Sequence, residues 1–180
     1  RHDSGSCHLT KPAGSLGRLE DIAYQVAGIQ RTETPRIEKK WVVVAAADHR
    51  VTDEGVSAFP QTVTAQMVAN FLNGGAAVSA RARQARARVN IIDVGVANPI
   101  PGDTSELVER KVENGTQNCP LGLAMPRAHA VEIVDRGADL SLELSKEGAD
   151  LIAIGAMGIS NATAASAITA VMLGELPKTV

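Results

Sequence analysis

Apolar and polar positions along this chain follow two rhythms. Leu16, Leu19, Ile22, Ala23, Val26 and Ile29 recur at helical spacing, with Arg18, Glu20, Asp21 and Gln25 on the other side. That predicts an amphipathic helix of about four turns. Ser15 can cap its start, and Thr34-Pro35 stops it. Residues 41–46, Trp-Val-Val-Val-Ala-Ala, are continuously apolar, as in a parallel strand covered on both faces. Pro60 suits the first turn of a helix whose apolar face is Val63, Met67, Val68, Phe71 and Leu72. Asn73-Gly74-Gly75 ends it, and a second helix follows over 76–87. Residues 89–96 predict the next strand, interrupted by Asp93. Residues 103–126 fit short strands or loop equally. The helical period returns over 127–146, with Gly137 inside it and Gly148 at its end. Residues 151–154 then predict a strand buried on both faces. Gly155 and Gly158 bracket a turn. Ser160, Asn161 and Thr163 are candidate caps for a small-residue helix over 164–173, closed by Gly174.

Strands alternating with helices predict an α/β fold, a doubly wound parallel sheet with helices on both faces. Residues 1–14 read as an extended polar arm. That arm and the first helix, residues 1–35, form a small helical part, and 36–180 form the parallel core.

Composition narrows the function classes. Apolar residues make up 44% of the 180, but aromatic residues only 2%, so the core is built from Ala, Val, Ile and Leu. So few aromatic rings, with a net charge of −2, argue against a nucleic-acid surface. Arg81, Arg83, Arg86 and Arg88 are a local basic group, better suited to a solvated helix flank than to phosphate binding. Cys7 and Cys119 have no metal-type spacing and read as free cytosolic thiols. No apolar run is long enough to span a membrane.

Chemistry is expected beyond the carboxyl ends of the strands, where open parallel sheets bind ligands. Asp48, His49, Asp53 and Glu54 fall within seven residues after the first strand. They could hold a divalent metal or run acid–base chemistry. Shaping the loop through backbone hydrogen bonds is the better reading for Asp48, His49 and Glu54. No second acidic or histidine cluster would complete a metal site. The 155–163 turn is either an ordinary strand-to-helix turn or an anion site built on helix N–H groups. Phe59, Met67 and Met157 read singly as core. Together they would form an apolar slot beside that turn if the loops after the first and last strands converge. No Walker, G-x-S-x-G or complete G-x-G-x-x-G motif is present.

Several stretches, in order, carry a more specific signal. They are Lys11-Pro-Ala-Gly-Ser-Leu-Gly-Arg-Leu-Glu20, Ala47-Asp-His-Arg-Val-Thr-Asp-Glu-Gly-Val-Ser57 with Pro60 and Val63-Thr-Ala-Gln-Met-Val-Ala-Asn-Phe71, Ile92-Asp-Val-Gly-Val96, and Gly155-Ala-Met-Gly-Ile-Ser-Asn-Ala-Thr163. Together they resemble the nicotinate-nucleotide–dimethylbenzimidazole phosphoribosyltransferases over nearly the whole chain. The resemblance implies transfer of phosphoribose from nicotinate mononucleotide to 5,6-dimethylbenzimidazole. The products would be α-ribazole 5′-phosphate and nicotinate, used for the lower loop of cobalamin. It implies a cytoplasmic homodimer with a parallel α/β domain and a smaller helical domain. It implies small-molecule substrates and no cofactor, metal, nucleic acid or membrane partner. Phe59, Met67 and Met157 fall where the family lines its benzimidazole pocket. Gly155, Gly158, Ile159, Ser160 and Asn161 fall on the phosphate and ribose corner.

The departures from the family pattern are specific. Arg50 stands where Gly is usual, Ala156 where a pocket Glu is common, and Ser160 and Ala162 where Gly and Thr are usual. The family's principal base is a Glu nearer its C-terminus, so the resemblance implies an N-terminal part whose catalytic Glu lies beyond Val180. A non-catalytic paralogue that binds nucleotide or benzimidazole is the alternative. A metal-dependent phosphohydrolase using Asp48, His49, Asp53 and Glu54 is a weaker one.

Overall fold

The computed structural model describes residues 10–12 and 14–179. His2, Cys7, His8 and most of the expected 1–14 arm lie outside the described residues. The chain divides into two compact units, Arg1–Glu38 and Lys39–Val180.

In the first unit, helix α1 (Arg18–Gln30) begins later than Ser15 because its cap is made from inside the helix. Glu20 Oε1 accepts the Leu16 N–H at 3.1 Å and the Lys11 ammonium at 2.8 Å. The Lys11 hydrogen bond is the main reason the Glu20 carboxyl sits below its ordinary pKa, with the Leu16 amide next. Lys11 and Glu20, the two ends of the first motif, thus close on each other around Gly14 and Gly17, both at positive φ. The helix ends at Gln30, before Thr34-Pro35. Arg31 turns left-handed there, and the Gln30 side chain brackets the Arg36 backbone at 2.8 and 3.0 Å.

The second unit is built on β1 (Lys40–Ala47), β2 (Ala87–Gly95), β3 (Leu107–Glu109) and β4 (Leu151–Met157), all parallel, in the order β3-β2-β1-β4. Its helices are α2 (Val63–Leu72), α3 (Ala77–Ala85), α4 (Arg127–Lys146) and α5 (Asn161–Leu173). One face of the sheet packs Val44, Ala46 and Ile91 against Ala65 and Val68 of α2. The other packs Trp41, Val43 and Ile92 against Leu140 and Leu144 of α4. Helices therefore cover both faces, as a doubly wound sheet requires. Arg88, opposite Trp41 in the β1–β2 register, lies 5.4 Å over its ring. Arg83 donates to the Gly74 carbonyl beyond the end of α2 at 3.0 Å. These two arginines serve the fold.

Two expectations fail at β4. Gly155 is a strand residue, because β1 pairs Val44, Ala45 and Ala46 with Gly155, Ala156 and Met157 and so extends the strand to Met157. The strand is not buried on both faces either, since Ile154 is 87% exposed. β4 is the edge of this four-stranded sheet, and α4 packs chiefly over β1 and β2. α5 is apolar on all sides, yet its Val171 is 83% exposed.

Candidate functional site

After β1 the chain steps outward to β2 and β3, then returns through α4 to place β4 on the other flank of β1. Beyond the carboxyl ends of β1 and β4 the chain directions diverge. Open parallel sheets form their ligand crevice at such a switch point. The loop after β1 and the turn after β4 converge there.

Three contacts join them. Thr52, in the short 3-10 segment Arg50–Glu54, places its Oγ1 3.0 Å from Ser160 Oγ. Fully buried Thr64, in the first turn of α2, accepts the Ile159 N–H at 3.1 Å. Gly158 lies directly against β1. A Cβ there would run into the Ala47 carbonyl and come within 3.3 Å of His49 Nε2. Only glycine fits this approach. Thr52 and Thr64 are the braces that sequence reasoning missed as such. Both stood inside quoted motifs, but nothing local to either announces a partner about a hundred residues away.

Ser160 occupies the cap position of α5 with φ 67, in the left-handed region, and its side chain caps no helix N–H. Its hydroxyl faces Thr52 instead. The expected side-chain cap is thus absent, and the helix begins earlier than residue 164, at Asn161. Glycine would adopt this left-handed backbone at less cost than serine. The Asn161 N–H donates to the Gly158 carbonyl at 3.1 Å, which closes the turn.

The acidic cluster after β1 separates into distinct roles. Asp48 is fully buried, and its Oδ2 accepts the Ala97 N–H at 2.8 Å. Its backbone donates to the Gly95 carbonyl and accepts from the Thr116 N–H, both at 3.0 Å. Glu54 accepts from the Asn118 amide at 2.6 Å. His49 is held below its ordinary pKa chiefly by burial, which the adjacent Asp48 partly opposes. Arg50 reaches Gln117 Oε1 at 3.3 Å from an exposed position. Asp93 carries a second buried cap that the sequence showed only as a break in the strand. Its Oδ1 accepts the Gly95 and Val96 N–H groups at 2.9 and 2.8 Å, and its Oδ2 lies 3.1 Å from the Lys111 ammonium. No group of three or more metal-ligating side chains gathers among the described residues.

Of the apolar trio, Met157 packs on the α2-side core, and Met67 is half-buried on α2. Phe59, on the loop before that helix, is 61% exposed. Ala156 is a β4 residue paired with Ala45, and a methyl group can neither take nor give a proton. Cys119 is a free thiol. No helix among the described residues is long and apolar enough to cross a membrane.

Comparison with known proteins adds the chemistry of relatives. A family profile described as phosphoribosyltransferase matches residues 4–180. A nicotinate-nucleotide–dimethylbenzimidazole phosphoribosyltransferase of Desulforamulus reducens is 50% identical over 92% of this chain and 47% of its own length. One from Roseiflexus castenholzii is 48% identical over 93% of this chain and 47% of its own. A crystal structure of the Thermus thermophilus enzyme of that name superimposes with a TM-score of 0.89 at 47% identity, covering 94% of this chain and 51% of that one. The chain spans about half the length of the curated relatives it matches.

Proposed function

This chain belongs to the phosphoribosyltransferase family, and from that premise we propose that the whole protein transfers phosphoribose from nicotinate mononucleotide to 5,6-dimethylbenzimidazole. The products are α-ribazole 5′-phosphate and nicotinate, for the lower loop of cobalamin. The observation that carries this reading is the convergence of the β1 loop and the 158–160 turn at the crossover of the sheet, directly before the first turn of α5.

In this reading the phosphate sits at the start of α5, where backbone dipoles favour an anion. Ile159 already gives its N–H to Thr64. The phosphate contacts therefore fall to the amides of Gly158 and Ser160 and to the side chains of Ser160 and Asn161. Gly155, paired within β4, shapes the approach to the turn and does not touch the phosphate itself. Met157, Met67 and Phe59 form the apolar side of the crevice, against which the flat benzimidazole rests. Asp48, His49 and Glu54 hold the β1 loop in place.

A benzimidazole nitrogen attacks the anomeric carbon, and nicotinate departs with the electron pair of the broken glycosidic bond. The attacking ring becomes cationic and must lose its N–H proton. A positioned base is worth about 10²–10⁴ in rate for such a transfer. Ala156 cannot serve, and the resemblance to the family implies that the proton acceptor is a carboxylate outside residues 1–180. Residues 1–35 contribute to a smaller helical domain, 36–180 form the catalytic α/β core, and the protein works as a cytoplasmic homodimer without a cofactor.

The test is to incubate the whole protein with nicotinate mononucleotide and dimethylbenzimidazole and to follow base-dependent release of nicotinate. No release with any of several benzimidazoles or phenols overturns the reading. Ala156 favours one second reading, a paralogue that binds the nucleotide or the base without turnover. Calorimetric binding without nicotinate release would select it.

A further inference from the structure

Both polar atoms of the Ile159 main chain meet threonines that come from different elements. The Ile159 N–H donates to Thr64 Oγ1 at 3.1 Å, and the Ile159 carbonyl lies 3.5 Å from Thr52 Oγ1. Thr52 Oγ1 also lies 2.7 Å from the His49 carbonyl and 3.0 Å from Ser160 Oγ, so its hold on Ile159 is the weaker one. Thr64 is fully buried, and among the described residues its hydroxyl bonds Ile159 alone. It also sits on a rigid platform. Its own N–H donates to the Gln61 carbonyl at 3.0 Å, and Ala65 and Val68 beside it are buried against Val44, Ala46 and Ile91. A β-branched side chain has few rotamers, so the hydroxyl is placed with the backbone.

A peptide group is planar and trans, so its N–H and C=O point opposite ways. The peptide between Gly158 and Ile159 is therefore set at both ends. Its N–H is held by Thr64, and its Gly158 carbonyl accepts the Asn161 N–H at 3.1 Å. The next peptide joins the Ile159 carbonyl to the N–H of left-handed Ser160. Since that carbonyl lies towards Thr52, the Ser160 N–H points away from the β1 loop.

We propose that Thr64 is a positioning residue for the nucleotide phosphate, which it does not touch. By holding the Ile159 N–H it fixes the direction in which the Ser160 amide is presented to the anion. This rests on the reading above, in which the phosphate sits at the start of α5. Without the Thr64 hydroxyl, the half-buried Ile159 N–H loses its acceptor, and its peptide turns to reach another. Phosphate contacts made through the neighbouring amide then weaken. The flat base rests on the side chains of Phe59, Met67 and Met157, so its contacts do not depend on that plane. Thr64 therefore acts on one substrate and not on the other.

The test is calorimetry on the whole protein, with nicotinate mononucleotide and 5,6-dimethylbenzimidazole titrated separately. Thr64→Val keeps the branched shape and removes the hydroxyl. The nucleotide Kd should rise at least about tenfold, while the base Kd stays within about twofold. Thr64→Ala is a second hydroxyl-free variant with the same expectation. Thr64→Ser keeps the hydroxyl and should hold the nucleotide Kd within about threefold of wild type. Circular dichroism confirms that each variant is folded. A role in stability alone would weaken both ligands together and would not follow the hydroxyl. The proposal is overturned by an unchanged nucleotide Kd in a folded hydroxyl-free variant, by equal weakening of both ligands, or by a serine variant as weak as the valine one. Each of these leaves the phosphate reading standing, because wild type still binds the nucleotide. A wild-type protein that fails to bind either ligand overturns that reading and this one with it.

Discussion

Thr52 Oγ1 lies 3.0 Å from Ser160 Oγ, which joins the loop after β1 to the turn after β4 across 108 residues of sequence. Replacing Thr52 by Val keeps the shape and removes the hydroxyl. The expected loss is about 1 kcal/mol of stability, read as a lower urea midpoint at unchanged slope. A midpoint equal to wild type would show that the two hydroxyls do not stabilise the junction.

Ser160 sets a left-handed backbone conformation against that hydrogen bond. Ser160→Gly loses the bond but relieves a strain of roughly 1–2 kcal/mol, whereas Ser160→Ala loses the bond and keeps the strain. The glycine variant should be the more stable of the two by at least ~1 kcal/mol in chemical denaturation. The reverse order would mean that the φ of 67 carries no strain.

Asp93 satisfies two buried backbone donors at once. Asp93→Ala leaves the Gly95 and Val96 N–H groups without that acceptor and Lys111 without its ion pair. A loss of about 2–3 kcal/mol is expected, with Asp93→Asn in between because its amide oxygen can still accept. Equal stability of the alanine and asparagine variants would contradict this role.

The legibility of these features in the sequence follows their range. The continuous apolar run of 41–46 announced β1, because a strand covered on both faces has nowhere to put a polar side chain. β3 was not legible: three residues, Leu107–Glu109, become a strand only by pairing with Ile91 to Asp93 of β2. Gly155 and Gly158 look alike in sequence. Only the register with Val44 makes one a strand residue, and only the approach of the Ala47 carbonyl makes the other a turn glycine. The apolar character of β4 and α5 was legible, but not their exposure, since periodicity reports what a segment prefers and not what lies against it. The Ile159–Thr64 contact was illegible because each residue is locally ordinary.

His49 gives the fold a pH dependence. Burial lowers its folded-state pKa below the ordinary value of 6.5. Above pH 6.5 the ring is neutral in both states and costs nothing. As pH falls below 6.5 the unfolded chain takes up the proton first, so stability falls until the folded-state pKa is reached. Unfolding midpoints at about pH 7.5 and about pH 5.5, above and below the ordinary value, should therefore separate more for wild type than for His49→Gln. An identical separation would place the pH dependence on other groups.

The central claim is that the start of α5, beside the 158–160 turn, holds the phosphate of a nucleotide. Asn161→Asp separates that role from structure, because its two expected effects have opposite signs. A carboxylate in the first turn favours the helix by roughly 0.3–1 kcal/mol, yet repels a bound phosphate. The deciding measurement is the calorimetric Kd for nicotinate mononucleotide with the whole protein, wild type against Asn161→Asp. Affinity at least about tenfold weaker, equivalent to ~1.4 kcal/mol, with stability equal to or above wild type, is the predicted result. An unchanged Kd in the folded variant would contradict the claim.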